Sequence, residues 1–249
     1  MVTNNDILTS LDTVAPFSLA MDWDNVGLLL DMNNPSQRIL FALDLTPEAV
    51  MEARAKGCGA IVCHHPAIFG PGLRRLESRD PIVMAASFGI SVFAAHTNWD
   101  AASGGVNDVL ANLFGLSGTE TFGGIGRMGS CPDCSPDDFA RRVKKALGIT
   151  ALQLESSGVL VNKVAVVGGS GGDFVGAAAA AGCQMLVTGE CKHHEALLAR
   201  RLGISVISAG HYETENPSMY WLAAAVANAL SGKAECLLFE GSMPIFRTV

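Results

Sequence analysis

The strongest constraint on this 249-residue chain is an alternation of short apolar runs and helix-type segments that continues almost from end to end. Arg38–Leu45 (RILFALDL) reads as a buried strand, after which Pro47 opens a helix at its first position and Gly57 stops it. The same reading puts strands at Ala60–Cys63, Ile90–Ala95, Ala151–Leu154, Lys163–Val167, Met185–Thr188, Ser205–Ser208 and Glu235–Phe239. Helices fall between them at Asp80–Phe88, Asn107–Phe114, Asp173–Ala181, Lys192–Leu202 and Ser218–Leu230. Ser135 caps one more, which runs through PDDFARRVKKAL to Gly148, and Phe122–Gly129 reads as a glycine-rich crossing. Such alternation predicts an α/β fold with parallel or mixed sheets covered by helices.

A weak repeat lies within the alternation. Gly57–Val62 (GCGAIV) matches the pattern of Gly182–Val187 (GCQMLV), and GISV occurs at both 89–92 and 203–206. Each GISV precedes a histidine, His96 or His211, and each histidine is followed four residues later by a carboxylate, Asp100 or Glu215. The ordered pair of matches predicts two related, pseudo-symmetric α/β halves.

Composition narrows the function. The 24 acidic residues outnumber the 17 basic ones, giving a net charge of −7 and no electrostatic case for nucleic acid. The basic run Arg141, Arg142, Lys144 and Lys145 lies on a predicted helix and reads as a solvated face. No apolar stretch reaches the roughly 20 residues of a membrane span, and MVTNNDILTSL lacks the basic and apolar parts of a leader. Seven cysteines, an odd number, are expected as reduced thiols in a cytoplasmic protein. Charged residues make up 16% of the chain, against about 25% in typical domains, so part of the surface is expected to be covered.

Histidine placement carries the chemistry. His64 and His65 end an apolar strand and precede Pro66, while His96 and His211 also stand just past strands. In open α/β sheets, ligands bind outside the carboxyl ends of strands. Neutral imidazoles with carboxylates suit Zn, Fe, Mn, Co or Ni, and a carboxylate that bridges two ions can help hold a hydroxide as nucleophile. Each histidine taken alone also fits a hydrogen-bonded loop residue.

WDNVGL (Trp23–Leu28), HHPAIF (His64–Phe69), HTNWDAASGGVND (His96–Asp108), VTGE (Val187–Glu190) and GHYETE (Gly210–Glu215) together resemble the NIF3-like family, bacterial members of which are named GTP cyclohydrolase 1 type 2 homologs. The resemblance runs nearly end to end and matches the short form. It implies two intertwined α/β/α units, 1–122 with 233–249 and 123–232. It also implies two divalent metal ions per subunit, His65 and Asp100 on one, His64 and His211 on the other, and Glu215 bridging. His96 and Glu190 would be the acid–base groups. The implied activity is metal-dependent hydrolysis, opening the purine ring of GTP or acting on another nucleotide or phosphoester; the alternative is a non-catalytic metal-handling protein. The implied assembly is a toroidal homohexamer.

Other features stand outside that pattern. The GGSGG run (Gly168–Gly172) fits either a phosphate cradle or a plain tight turn. Cys131-Pro132-Asp133-Cys134 is a single CxxC, short of the four ligands of a zinc ribbon. Asp44 and Asp173 read as turn or cap residues, and His193 and His194 as an exposed pair at a helix start. Trp23 and Trp99 are expected to pack beneath the site, and Glu213 is an alternative ligand.

Overall fold

Strand pairing divides the predicted alternation into two sheets, one in each of two units of the chain. The structure is a computed structural model that describes residues 1–70 and 75–246. The first unit comprises Met1–Gly105 and Ser218–Met243, the second Val106–Pro217 and Pro244–Val249.

In the first unit the strands are β1 (Gly27–Leu30), β2 (Arg38–Ala42), β3 (Ala60–Cys63), β4 (Ser91–Ala94) and β11 (Glu235–Leu238). They lie in the order β1-β4-β3-β2-β11, parallel throughout except for the antiparallel edge strand β1. Every residue of β3 and β4 is buried, so their sequences are continuous apolar runs rather than alternations. Helices α2 (Pro47–Ala55) and α3 (Pro81–Ser87) cover one face, packing Val50, Ala53, Ile82 and Ala85 on Leu40, Ile61 and Val92. The intervening residues Ile39, Phe41, Val62 and Phe93 turn to the other face, where α1 (Asn4–Val14) and α10 (Met219–Ala229) lie.

In the second unit the strands are β5 (Ser117–Phe122), β6 (Gly126–Cys134), β7 (Gln153–Glu155), β8 (Val161–Val167), β9 (Met185–Thr188) and β10 (Ser205–Ser208). Their order is β5-β6-β8-β9-β10-β7, with β8, β9 and β10 parallel. Helices α7 (Val175–Ala180) and α8 (His193–Leu202) close over Ala165, Val167, Leu186 and Val206. Against β6 and β8 lies α5 (Val106–Leu113), with α6 (Pro136–Leu147) beside it. Each unit is therefore an α/β/α sandwich.

The repeat read from sequence has a topological counterpart. Three parallel strands joined by helices, β2-α2-β3-α3-β4 and β8-α7-β9-α8-β10, recur in the same spatial order. Each set carries an antiparallel neighbour, β1 on β4 and β7 on β10. The GCGAIV and GCQMLV segments run into β3 and β9, and the two GISV segments run into β4 and β10.

Two differences from the sequence reading concern boundaries. Residues 106–122 belong to the second unit, because β5 pairs with β6 in a hairpin where a crossing was expected. Residues 218–232 belong to the first, because α10 packs on α1 and β11. The last three residues of the expected 233–249 segment lie outside the described residues. The basic run sits on α6, whose buried residues are Pro136, Phe139, Ala140 and Val143, so its charges form the solvated face as expected. No helix among the described residues is long and apolar enough to cross a membrane.

Candidate metal centre

Three neighbouring parallel strands of the first unit end in polar residues at one sheet edge. Asp44 follows β2, His64 and His65 follow β3, and His96 follows β4. The backbone N–H groups of His64 and His65 both donate to the Leu43 carbonyl, which turns the chain at once after β3. Both rings thereby reach one place: the His64 and His65 centroids are 5.0 Å apart, and His96 lies 5.2 Å and 5.6 Å from them. One ligand-type nitrogen from each of the three lies within 4.8 Å of the others.

Each ring is held through Nδ1. The His64 Nδ1–H donates to the Ala95 carbonyl (2.8 Å), that of His65 to Asp44 (2.8 Å) and that of His96 to Asp24 (2.8 Å). Carbonyls and carboxylates only accept, so Nδ1 carries the proton and Nε2 presents the lone pair in each neutral ring. A partner on the far nitrogen is the arrangement that orients metal-ligating histidines. Asp44 thus serves the site and not only its turn.

The carboxylate of this unit comes from α4 (Thr97–Ala101). His96 is its N-cap residue and Asp100 stands one turn further, so both project from one side of the helix start. Asp100 Oδ1 approaches His64 Nε2 at 3.6 Å, and His64 is fully buried. Beyond α4 the chain turns through Gly105, where a Cβ would meet the Trp99 carbonyl at 1.9 Å, so no side chain fits there. Asp24 is the deepest anchor. Burial alone would push its carboxyl up, but hydrogen bonds from His96 and from the Thr97 N–H and hydroxyl overcome that and hold it down at about 2.

The second unit repeats the device on α9 (His211–Glu215), which follows β10. His211 and Glu215 are again one turn apart, with His211 Nε2 3.1 Å from Glu215 Oε2. Glu190, just past β9, stands 3.3 Å from His211 Nδ1 and is largely exposed. Metal bonds of about 2.0–2.2 Å from imidazole and carboxylate leave ligand atoms of one ion roughly 3 Å or more apart, which the spacing at His211–Glu215 fits.

The Gly168–Gly172 loop backs this half-site instead of cradling phosphate. Its N–H groups at Gly168, Gly169 and Gly171 donate to the side chains of Asn107, Thr214 and Thr188. Thr214 ties the loop to α9, and a Cβ on Gly169 would fall 2.0 Å from Glu215 Oε1 and 3.2 Å from His211 Nε2. Glu213 folds over Gly210, where a Cβ would sit 2.0 Å from its Oε2, rather than joining His211 and Glu215.

The remaining expectations resolve separately. The Trp99 side chain, on α4, is buried, but Trp23 is 61% exposed, so only one of the two is packed inside as expected. Sequence reading missed Asp24, Asp44 and the exposed ring of Phe69; the position of Trp23-Asp24 inside WDNVGL was the available signal. Asp173 lies in a single 3-10 turn, and His193 and His194 are exposed at the start of α8. Cys131 and Cys134 lie on β6, where the ladder to β8 loses register, and both sulfurs face the Val161 carbonyl. Burial pushes the Cys131 thiol up to about 11. Among the described residues no cysteine joins a metal-type cluster.

Known proteins resemble this chain over nearly its whole length. A GTP cyclohydrolase 1 type 2 homolog of Clostridium perfringens is 29% identical over 259 residues, covering 98% of this chain and 99% of its own. One from Clostridium acetobutylicum is 31% identical over 240 residues, 90% of each chain. A crystal structure of a hypothetical protein from Staphylococcus aureus superposes with a TM-score of 0.90 at 27% identity, covering 100% of this chain and 99% of that one. The family model for Duf34/NIF3 (NGG1p interacting factor 3) matches residues 2–242, and the chain belongs to that family.

Proposed function

We propose that this protein is a dinuclear metal-dependent hydrolase acting on a nucleotide or related phosphoester, with opening of the purine ring of GTP as the leading reaction. The assignment of ligands follows the family resemblance: His65 and Asp100 for one ion, His64 and His211 for the other, and Glu215 shared. The observation that carries the reading is the triple anchoring of His64, His65 and His96 through Nδ1, with the three rings gathered at one place. Isolated loop histidines have no need of such matched partners. Divalent ions held there would supply Lewis acidity and activate water for attack.

The chain's own groups then divide the work. Asp24 fixes the His96 ring through Nδ1, which leaves Nε2 as the atom that would take a proton from, or return one to, a bound substrate. Glu190, beside His211 and open to solvent, is placed to exchange protons with water. In ring opening these two groups would serve the attack and the release of formate. The exposure of Glu190 also favours a second reading, a metal-handling protein without turnover, in which Glu190 passes ions to the ligands.

The test is formate and phosphate release on a nucleotide panel with Mn, Zn or Fe added, against a His65→Ala control. Turnover lost in the control supports the hydrolase; equal background in both overturns it. Metal analysis checks the ligand roles: Glu215→Gln should deplete both ions together, and His65→Ala mainly one. We also propose the toroidal homohexamer, which light scattering would read as about six times the 26.0-kDa chain.

A further inference from the structure

We propose that Trp23 and Phe69 form a stacking platform that selects substrates by a flat heteroaromatic ring, such as a nucleobase, and presents that ring to His96. The two side chains are large and apolar yet 61% and 47% exposed. Their rings meet edge to face, with centroids 5.8 Å apart and planes at 83°. Both also stand edge-on to the same imidazole, Trp23 at 6.2 Å and Phe69 at 5.8 Å from His96. The two aromatic rings thus form a corner against His96, the residue proposed as acid–base group.

The corner is rigid rather than a loose flap. Asp24, next to Trp23, has no exposed side-chain surface and bonds to His96 and Thr97. The Met21 N–H donates to the Thr97 hydroxyl, and the Asn25 amide donates to the Ile68 carbonyl at 2.7 Å, tying the Trp23 segment to the Phe69 segment. Exposed aromatic faces held by buried polar anchors cost folding free energy without packing benefit, which points to use by a ligand. Aromatic faces stack on nucleobases whatever their sequence identity, because every base offers a π-face, and the preferred partner geometries are offset-stacked and edge-to-face. A sugar phosphate lacking the base offers no such face. This inference rests on the nucleotide reading above but concerns binding and not turnover.

The experiment uses the full chain and two probes, GMP and ribose 5-phosphate, with affinity read by titration calorimetry and contact by saturation transfer to the base protons. We expect GMP to bind with transfer to its base, and ribose 5-phosphate to bind at least about tenfold more weakly. Trp23→Ala and Phe69→Ala should each weaken GMP about tenfold, Trp23→Phe should stay within about threefold, and metal content should be unchanged in all three. The proposal is overturned by absence of GMP binding to the parent chain, or by equal affinity for the two probes. It is also overturned if the alanine variants bind GMP like the parent, including the case where they only lower the assembly mass, which would make the rings a subunit contact. If GMP binds as expected but no nucleotide is turned over, the hydrolase reading fails and the platform stands.

Discussion

Gly169 shows how little room the site leaves at single residues. Its φ is +60°, and an added Cβ would press on Glu215 and His211. Gly169→Ala should therefore lose bound metal and about 1 kcal/mol of stability, whereas Gly176→Ala, with nothing within 4 Å of its Cβ, should keep its metal. Elemental analysis beside a thermal melt separates the two. Asp24 supplies a second prediction, with a sign. Its folded pKa of about 2 lies below the usual carboxylate value, so the stabilisation is complete above about pH 4 and is lost as pH falls through 2. The size is about 2 kcal/mol. Urea midpoints measured from pH 5 to pH 2 should fall less steeply in Asp24→Asn than in the parent; equal slopes would contradict it. At this scale the positions of His64, His65, His96 and His211 just past strands were readable, because each follows a short apolar run; the ligand roles given to them, to Asp100 and to Glu215 belong to the proposal. The sequence was not readable for Asp24 and Asp44, because a carboxylate that orients a distant ring is indistinguishable in sequence from a turn residue.

Elements were legible where burial made them apolar. β3, β9 and β10 fall where Ala60–Cys63, Met185–Thr188 and Ser205–Ser208 were read, since they lie in sheet interiors with helices on both faces. The edge strand β5 was missed: SGTETF is exposed except at Phe122 and carries no apolar run. β6 was missed because glycines and Pro132 argue against a strand, and the ladder accommodates them at an irregularity between Ser130 and Cys134. Helix ends followed local rules more faithfully. On α6, the Ser135 hydroxyl accepts from the Asp138 N–H and Gly148 closes the helix at φ 68°. Ser135→Ala should cost about 1 kcal/mol and lower the melting temperature by about 2–4 °C without changing metal content. A loss of metal in that variant would show that α6 bears on the site in some way its cap does not explain.

At the scale of the whole molecule, the chain's connectivity gives the proposed metals a structural role. It leaves the first unit after Gly105 and returns at Ser218. The first crossing follows α4, which bears Asp100, and the second follows α9, which bears Glu215. Each ligand-bearing helix is short, five residues, too short to be stable alone, so its position depends on what its side chains hold. Ions held by those side chains, as proposed, would fix each helix in place. An ion at a hundred times its dissociation constant stabilises the native state by about 2.7 kcal/mol, which for a chain of this size raises the melting temperature by roughly 5–10 °C. Calorimetry of the purified protein before and after treatment with a chelator should show that drop, restored by adding back the ion. His65→Ala should lose part of the increment and Glu215→Gln nearly all of it. A chelated protein that melts at the same temperature as the untreated one would remove the metals from the fold's stability.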